Sequence, residues 1–178
     1  MILKTSIGSF VCYVAIVLLS FGIPKGILRM MDKEINKVFD VAEITLDGVI
    51  LPNGIGEELP AEISSENFFR LKQEESLLGY VYLGNAPSKT ATFDYLVIFN
   101  KELEVIRTKV LIYREEYGGE IGSKRWLKQF IGLSGKSRVD YKTNIDGIAG
   151  ATISVRSMTI SMDKLFQTIG TLQDKKLL

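Results

Sequence analysis

The stretch Asp146-Gly-Ile-Ala-Gly-Ala-Thr152 strips the chain of bulk and leaves one hydroxyl just ahead of an apolar repeat that begins at Val155. Small residues at a helix entrance let an anion approach unpaired backbone N–H groups, which carry the positive end of the helix dipole. A phosphate is the group such an entrance attracts. The dipole alone contributes about 0.3–1 kcal/mol at an exposed site, so a phosphate held there needs further contacts. The same pattern also serves a plain turn into a helix, with Thr152 or Ser154 as the capping hydroxyl. No G-x-x-x-x-G-K-[ST] lysine arrangement is present, which disfavours a triphosphatase P-loop.

Three kinds of element are needed to hold this stretch in place. Val155, Met158, Met162, Leu165, Phe166 and Ile169 fall at helical spacing, which predicts a helix over about 154–169 with that stripe packed on a sheet. "LLGYVYLG", "FDYLVIFN" and "LEVIRTKVLIY" read as strands, the last two joined by a tight turn at Asn100-Lys101 into an antiparallel hairpin. Ser123 is placed to cap a short helix carrying Trp126, Leu127 and Phe130 on one side, and "SRVDYKTNID" reads as a further extended segment. Upstream, Gly26 to Phe39 reads as a helix, "VAEITLDGVIL" has strand character and "PNGIGEELP" is a loop. The fold class expected is α+β: an antiparallel sheet covered by helices.

Composition excludes more than it suggests. At 178 residues the chain has room for one domain with an appendage. It contains no histidine and a single cysteine, Cys12, which rules out a histidine-dependent triad, a histidine-bound haem, a cysteine-ligated cluster and an intrachain disulfide. Electron transfer, if it occurs, therefore needs an organic cofactor. With 22 basic and 21 acidic residues, there is no electrostatic case for nucleic acid as a partner.

Thr5 to Pro24 carries no charge and is bracketed by Lys4 and Lys25. About twenty helical residues span roughly 30 Å, the thickness of a bilayer core. We read this segment as a retained single-pass transmembrane helix, the alternative being a cleaved signal peptide. The expected organisation is an anchor over 1–25, a membrane-proximal helix and connector over 26–76, and a folded domain over 77–178.

"DGIAGAT" resembles the flavinylation motif of the FMN-binding domain family, which includes the C subunit of the sodium-translocating NADH:quinone reductase and the G subunit of the Rnf complex. "YGGEIGSKRWLKQFIG", Tyr117 to Gly132, is similar to a second stretch of the C subunit, and "LLGYVY" resembles the family's opening strand. The resemblance implies covalent FMN, attached by a dedicated flavin transferase through a phosphoester to Thr152. It also implies cofactor contacts from Asp146, Gly150, Ala151, Ile153 and Ser154 in one motif, and from Tyr117, Gly118, Gly119, Glu120, Ile121 and Trp126 in the other. Ala149 departs from the family, which has Ser or Thr there, and removes a hydroxyl able to cap the helix or bond the phosphate.

On the residues alone, Trp126 serves equally as core and Glu120 as an exposed turn carboxylate. The function this implies is a membrane-anchored flavoprotein relaying electrons among other electron-transfer subunits, a component rather than a complete enzyme. The alternative is a non-redox membrane-anchored interaction module. Lysines and an arginine after the apolar segment, Lys25, Arg29, Lys33 and Lys37, point to a cytoplasmic domain by the positive-inside rule, whereas the family's modified subunits face outward. We expect the extracytoplasmic placement.

Overall fold

The computed structural model describes residues 22–41 and 43–178. Their centre is one antiparallel sheet in which β1 (Thr45–Gly48), β2 (Phe68–Gln73), β3 (Ser76–Pro87), β4 (Thr92–Asn100) and β5 (Val105–Ile112) follow each other in sequence order. A helix, α1 (Lys25–Phe39), covers one face, and a longer one, α3 (Thr152–Asp174), covers the other. Between β5 and α3 the chain forms the short helix α2 (Lys124–Leu127), flanked by 3₁₀ turns at Gly119–Gly122 and Lys128–Phe130.

The pleat of β4 explains the two layers. Phe93, Tyr95, Val97 and Phe99 point to the α3 side, while Leu96 and Ile98, out of phase by one residue, point to the α1 side. Both sets are buried. On α3 the stripe Val155, Met158, Met162, Leu165, Phe166 and Ile169 is buried as its spacing requires, and the burial continues to Leu172. On α1, Ile27, Met31 and Ile35 meet Phe69, Leu71 and Val81 of the sheet, so its apolar stripe belongs to this domain. Glu34 is 5% exposed beneath that helix. Arg107 of β5 donates to it from Nε at 2.7 Å, and Lys37 pairs with it at 2.6 Å. Burial acts to raise the Glu34 carboxyl, but these two cations prevail and hold it below its ordinary value.

The strands expected from "LLGYVYLG", "FDYLVIFN" and "LEVIRTKVLIY" are β3, β4 and β5, and the hairpin between the last two is present. Two strands of the sheet, β1 and β2, precede Leu77, and β2 was not anticipated. "SRVDYKTNID" is not a strand. Asp140 folds it into a turn: its carbonyl accepts from the amides of Thr143, Asn144 and Ile145, and the Asn144 side-chain oxygen accepts from the Asp140 amide at 2.7 Å. The apolar segment read as a membrane anchor lies almost wholly outside the described residues; among those described, no helix is long and apolar enough to cross a membrane. Ile23, at its end, packs against the α1 face of the sheet.

Candidate functional site

The loop from Asp146 to Ala151 crosses the end of the domain where β5, α2 and the start of α3 converge. Gly150 takes a left-handed conformation, φ 81°, which redirects the chain into α3. Ala151 is the residue before the helix, so neither Thr152 nor Ser154 caps it and no side chain does. Thr152 is instead the first helical residue. The first intrahelical bond runs from the Val155 amide to the Ala151 carbonyl at 2.9 Å, which leaves the amides of Thr152, Ile153 and Ser154 outside the ladder. Thr152 is exposed, and no bond among the described residues holds its hydroxyl.

The two sequence motifs meet here. Trp126 is 4% exposed, packs edge-on against Phe130, and donates from Nε1 to the Asp146 carbonyl at 2.7 Å. It is thus a core residue that also holds the Asp146 loop. Gln129 accepts from the Asp146 amide at 2.7 Å and donates to the Trp126 carbonyl at 3.1 Å, so the backbone of Asp146 is held on both sides. Ser123 caps α2 as expected, accepting from the Trp126 amide at 3.4 Å.

A second junction joins Gly118 to Ala151. Gly118 has φ 82°, and a β-carbon there would stand 3.1 Å from that of Ala151 and 3.0 Å from the Tyr113 hydroxyl. Tyr113 bonds the Tyr117 carbonyl at 3.1 Å and the Ser154 hydroxyl at 3.0 Å, tying the end of β5 to the first turn of α3. The approach to the loop is fixed as well. Arg138 meets Asp163 of α3 with two bonds of 2.8 Å, and the Val139 amide adds a third at 3.1 Å.

Two cavities lie along this loop. One, of about 710 Å³, is lined by Glu120, Ser123, Arg125, Trp126, Gln129 and the residues Asp146 to Ala149. The other, of about 360 Å³, is lined by Gly150 to Ser154, Tyr113, Tyr117, Glu115 and Lys89. Tyr117 is 80% exposed and Ile153 50% exposed, so both offer apolar surface to whatever enters. At Gly119, Gly147 and Gly150 no atom lies within 4 Å of where a side chain would begin.

The structure brings Asp146, Gly150, Ala151, Thr152, Ile153, Ser154, Tyr117, Gly118, Glu120 and Trp126 to these two cavities or their walls. Gly119 lies in the turn between them, and Ile121 is fully buried beneath it, where it supports the turn and offers no surface to a ligand. Reasoning from sequence missed Tyr113, Gln129, Lys89 and Glu115. Gln129 is the exception in having a visible signal, three residues after Trp126 within the second motif.

Free helix amides, an exposed hydroxyl, a lysine and open glycine backbone form a donor set suited to a phosphate, and the aromatic and aliphatic walls suit a flat ring. Among the described residues no cluster of acidic or cysteine side chains could hold a metal ion. A family model described as FMN-binding domain matches residues 90–167, the span from the β3–β4 turn through most of α3. No curated protein matches the chain.

Proposed function

We propose that this chain, which over residues 90–167 belongs to the FMN-binding domain family, is a membrane-anchored flavoprotein that carries FMN covalently on Thr152 and relays electrons. The family match supports a flavoprotein with FMN as its cofactor. The finer reading draws support from one observation above the rest: Thr152 presents a free, exposed hydroxyl at the first position of α3, beside three amides without intrahelical partners. In the linked form the threonine oxygen takes the place of one phosphate oxygen, with loss of one water overall. A flavin transferase is the partner this requires.

FMN supplies the redox chemistry when bound, accepting and releasing electrons at its ring. The protein's own residues do the rest. The Thr152, Ile153 and Ser154 amides are the donors that would hold the phosphate, and the dipole of α3 would add a modest attraction. Trp126 and Gln129 hold the Asp146 backbone and so fix the entry to the helix. Tyr113 locks the Tyr117 turn against Ser154, which keeps the exposed Tyr117 ring beside the acceptor.

The uncharged run from Thr5 to Pro24 supports the anchor, and a tethered domain outside the cytoplasm, where lost FMN is not readily replaced, gives covalent attachment its purpose. The partners that follow are other electron-transfer subunits of the membrane. The test is flavin fluorescence of the denatured full chain after coexpression with a flavin transferase. Fluorescence that stays with the wild-type band and is lost in a folded Thr152→Ala variant supports the reading. A folded wild type without flavin fluorescence supports an interaction module instead.

A further inference from the structure

We propose that Lys89, in the turn between β3 and β4, is a phosphate-binding residue of this site, supplying the positive charge that faces the group joined to Thr152. The inference rests on the flavin reading of Thr152 given above. Lys89 and Thr152 line the same cavity of about 360 Å³, and Lys89 is the one cation among its lining residues. No described residue pairs with the Lys89 ammonium.

Lys89 is exposed, and the backbone of the turn that carries it is held in place. Glu115, just past β5, accepts from the Ser88 hydroxyl at 2.6 Å, the Thr90 amide at 2.6 Å, the Thr90 hydroxyl at 2.8 Å and the Ala91 amide at 3.1 Å. The Ser88 amide closes the turn on the Ala91 carbonyl at 2.8 Å. From the other side, Ser157 of α3 donates to the Pro87 carbonyl, so the turn is docked on the first turns of the helix that begins with Thr152.

Glu115 is the one acid lining the cavity, and its carboxylate is already committed to four donors of the turn. A phosphodiester keeps one negative charge, and the helix amides alone leave it with a modest attraction. A lysine on a fixed turn adds a charge-assisted contact from a second element, one that a neutral flavin without phosphate does not engage.

The experiment compares wild type, Lys89→Gln, Lys89→Glu and Lys89→Arg as full chains coexpressed with a flavin transferase, with the FMN-modified fraction read by intact mass soon after induction. The expected result is at least a threefold lower modified fraction in Lys89→Gln, a larger loss in Lys89→Glu and near wild-type labelling in Lys89→Arg, with thermal midpoints unchanged. Recovery by arginine marks a role of charge, because a merely structural loss would not follow its sign. Equal labelling of Lys89→Gln, Lys89→Glu and wild type overturns the role of Lys89 and leaves the threonine linkage standing. A wild type that stays unmodified overturns the linkage, and the role of Lys89 with it.

Discussion

The indole Nε1 of Trp126 donates to the carbonyl of Asp146 across 2.7 Å, and through that bond the two halves of the site, twenty residues apart in sequence, become one unit. Trp126→Phe keeps most of the apolar volume against Phe130 and removes the donor. We expect a loss of about 1–2 kcal/mol in unfolding free energy. Flavin attachment is expected to fall by more than stability does, since the Asp146 loop is freed. Chemical denaturation and intact mass on the same samples check both.

Gly118 has φ 82° and lies against Ala151 and the Tyr113 hydroxyl. Gly118→Ala adds a methyl for which Ala151 and Tyr113 must give way by a few tenths of an ångström, and forces a left-handed alanine. The expected cost is about 1–2 kcal/mol from backbone strain alone, with a displaced Tyr117 turn. Gly119→Ala, which meets no atom within 4 Å, is the control and is expected to be nearly neutral.

The β3–β4 turn depends on an ionised Glu115, whose carboxyl is held down to about 2, chiefly by the Ser88 hydroxyl and the Thr90 amide. A depressed folded value means that the stabilising contribution is full above the unfolded value of 4.5 and is lost as pH falls through about 2. Hydrogen exchange at the Thr90 and Ala91 amides is therefore expected to show constant protection from pH 7 to pH 5 after correction for intrinsic rates. Glu115→Gln is expected to lower that protection at every pH in this range.

On the opposite face, Glu34→Ala removes the carboxylate that holds Arg107 and Lys37 between α1 and the sheet. Arg107 keeps 29% of its side chain exposed, so water recovers part of its charge. We expect a loss of about 1–3 kcal/mol, below the range for a fully buried pair. Flavin attachment is expected to be unchanged, because α1 lies across the sheet from α3.

Where the sequence was legible, one physical signal dominated each segment. β4 is a nearly unbroken apolar run and α3 has a sustained helical stripe, so both could be recognised without their neighbours. β2 was hidden because its alternation, Phe69-Arg70-Leu71-Lys72, runs for only four residues and is masked by Phe68, a neighbouring aromatic that faces the opposite layer. "SRVDYKTNID" misled for the opposite reason. Its Val139 and Tyr141 mimic alternation, whereas Asp140 and Asn144 close a turn through bonds that no periodicity reveals.

The site shows the same division. Asp146, Thr152, Trp126 and their neighbours were recognisable from motif order. Tyr113, Lys89 and Glu115 were not, because their roles come from the meeting of β5, the β3–β4 turn and α3. Thr152 was read as a candidate cap, yet a cap needs the residue before the helix, and Gly150 with its positive φ shifts the start so that Ala151 occupies that place.

The most direct test is the intact mass of the full chain coexpressed with a flavin transferase, followed by peptide mapping, for wild type, Thr152→Ser and Thr152→Ala. The prediction is an added FMN less one water on the peptide containing Thr152, retained at least in part in Thr152→Ser and absent from a folded Thr152→Ala. An unmodified wild-type mass, with the protein folded and the transferase active on another substrate, would contradict the covalent linkage to Thr152.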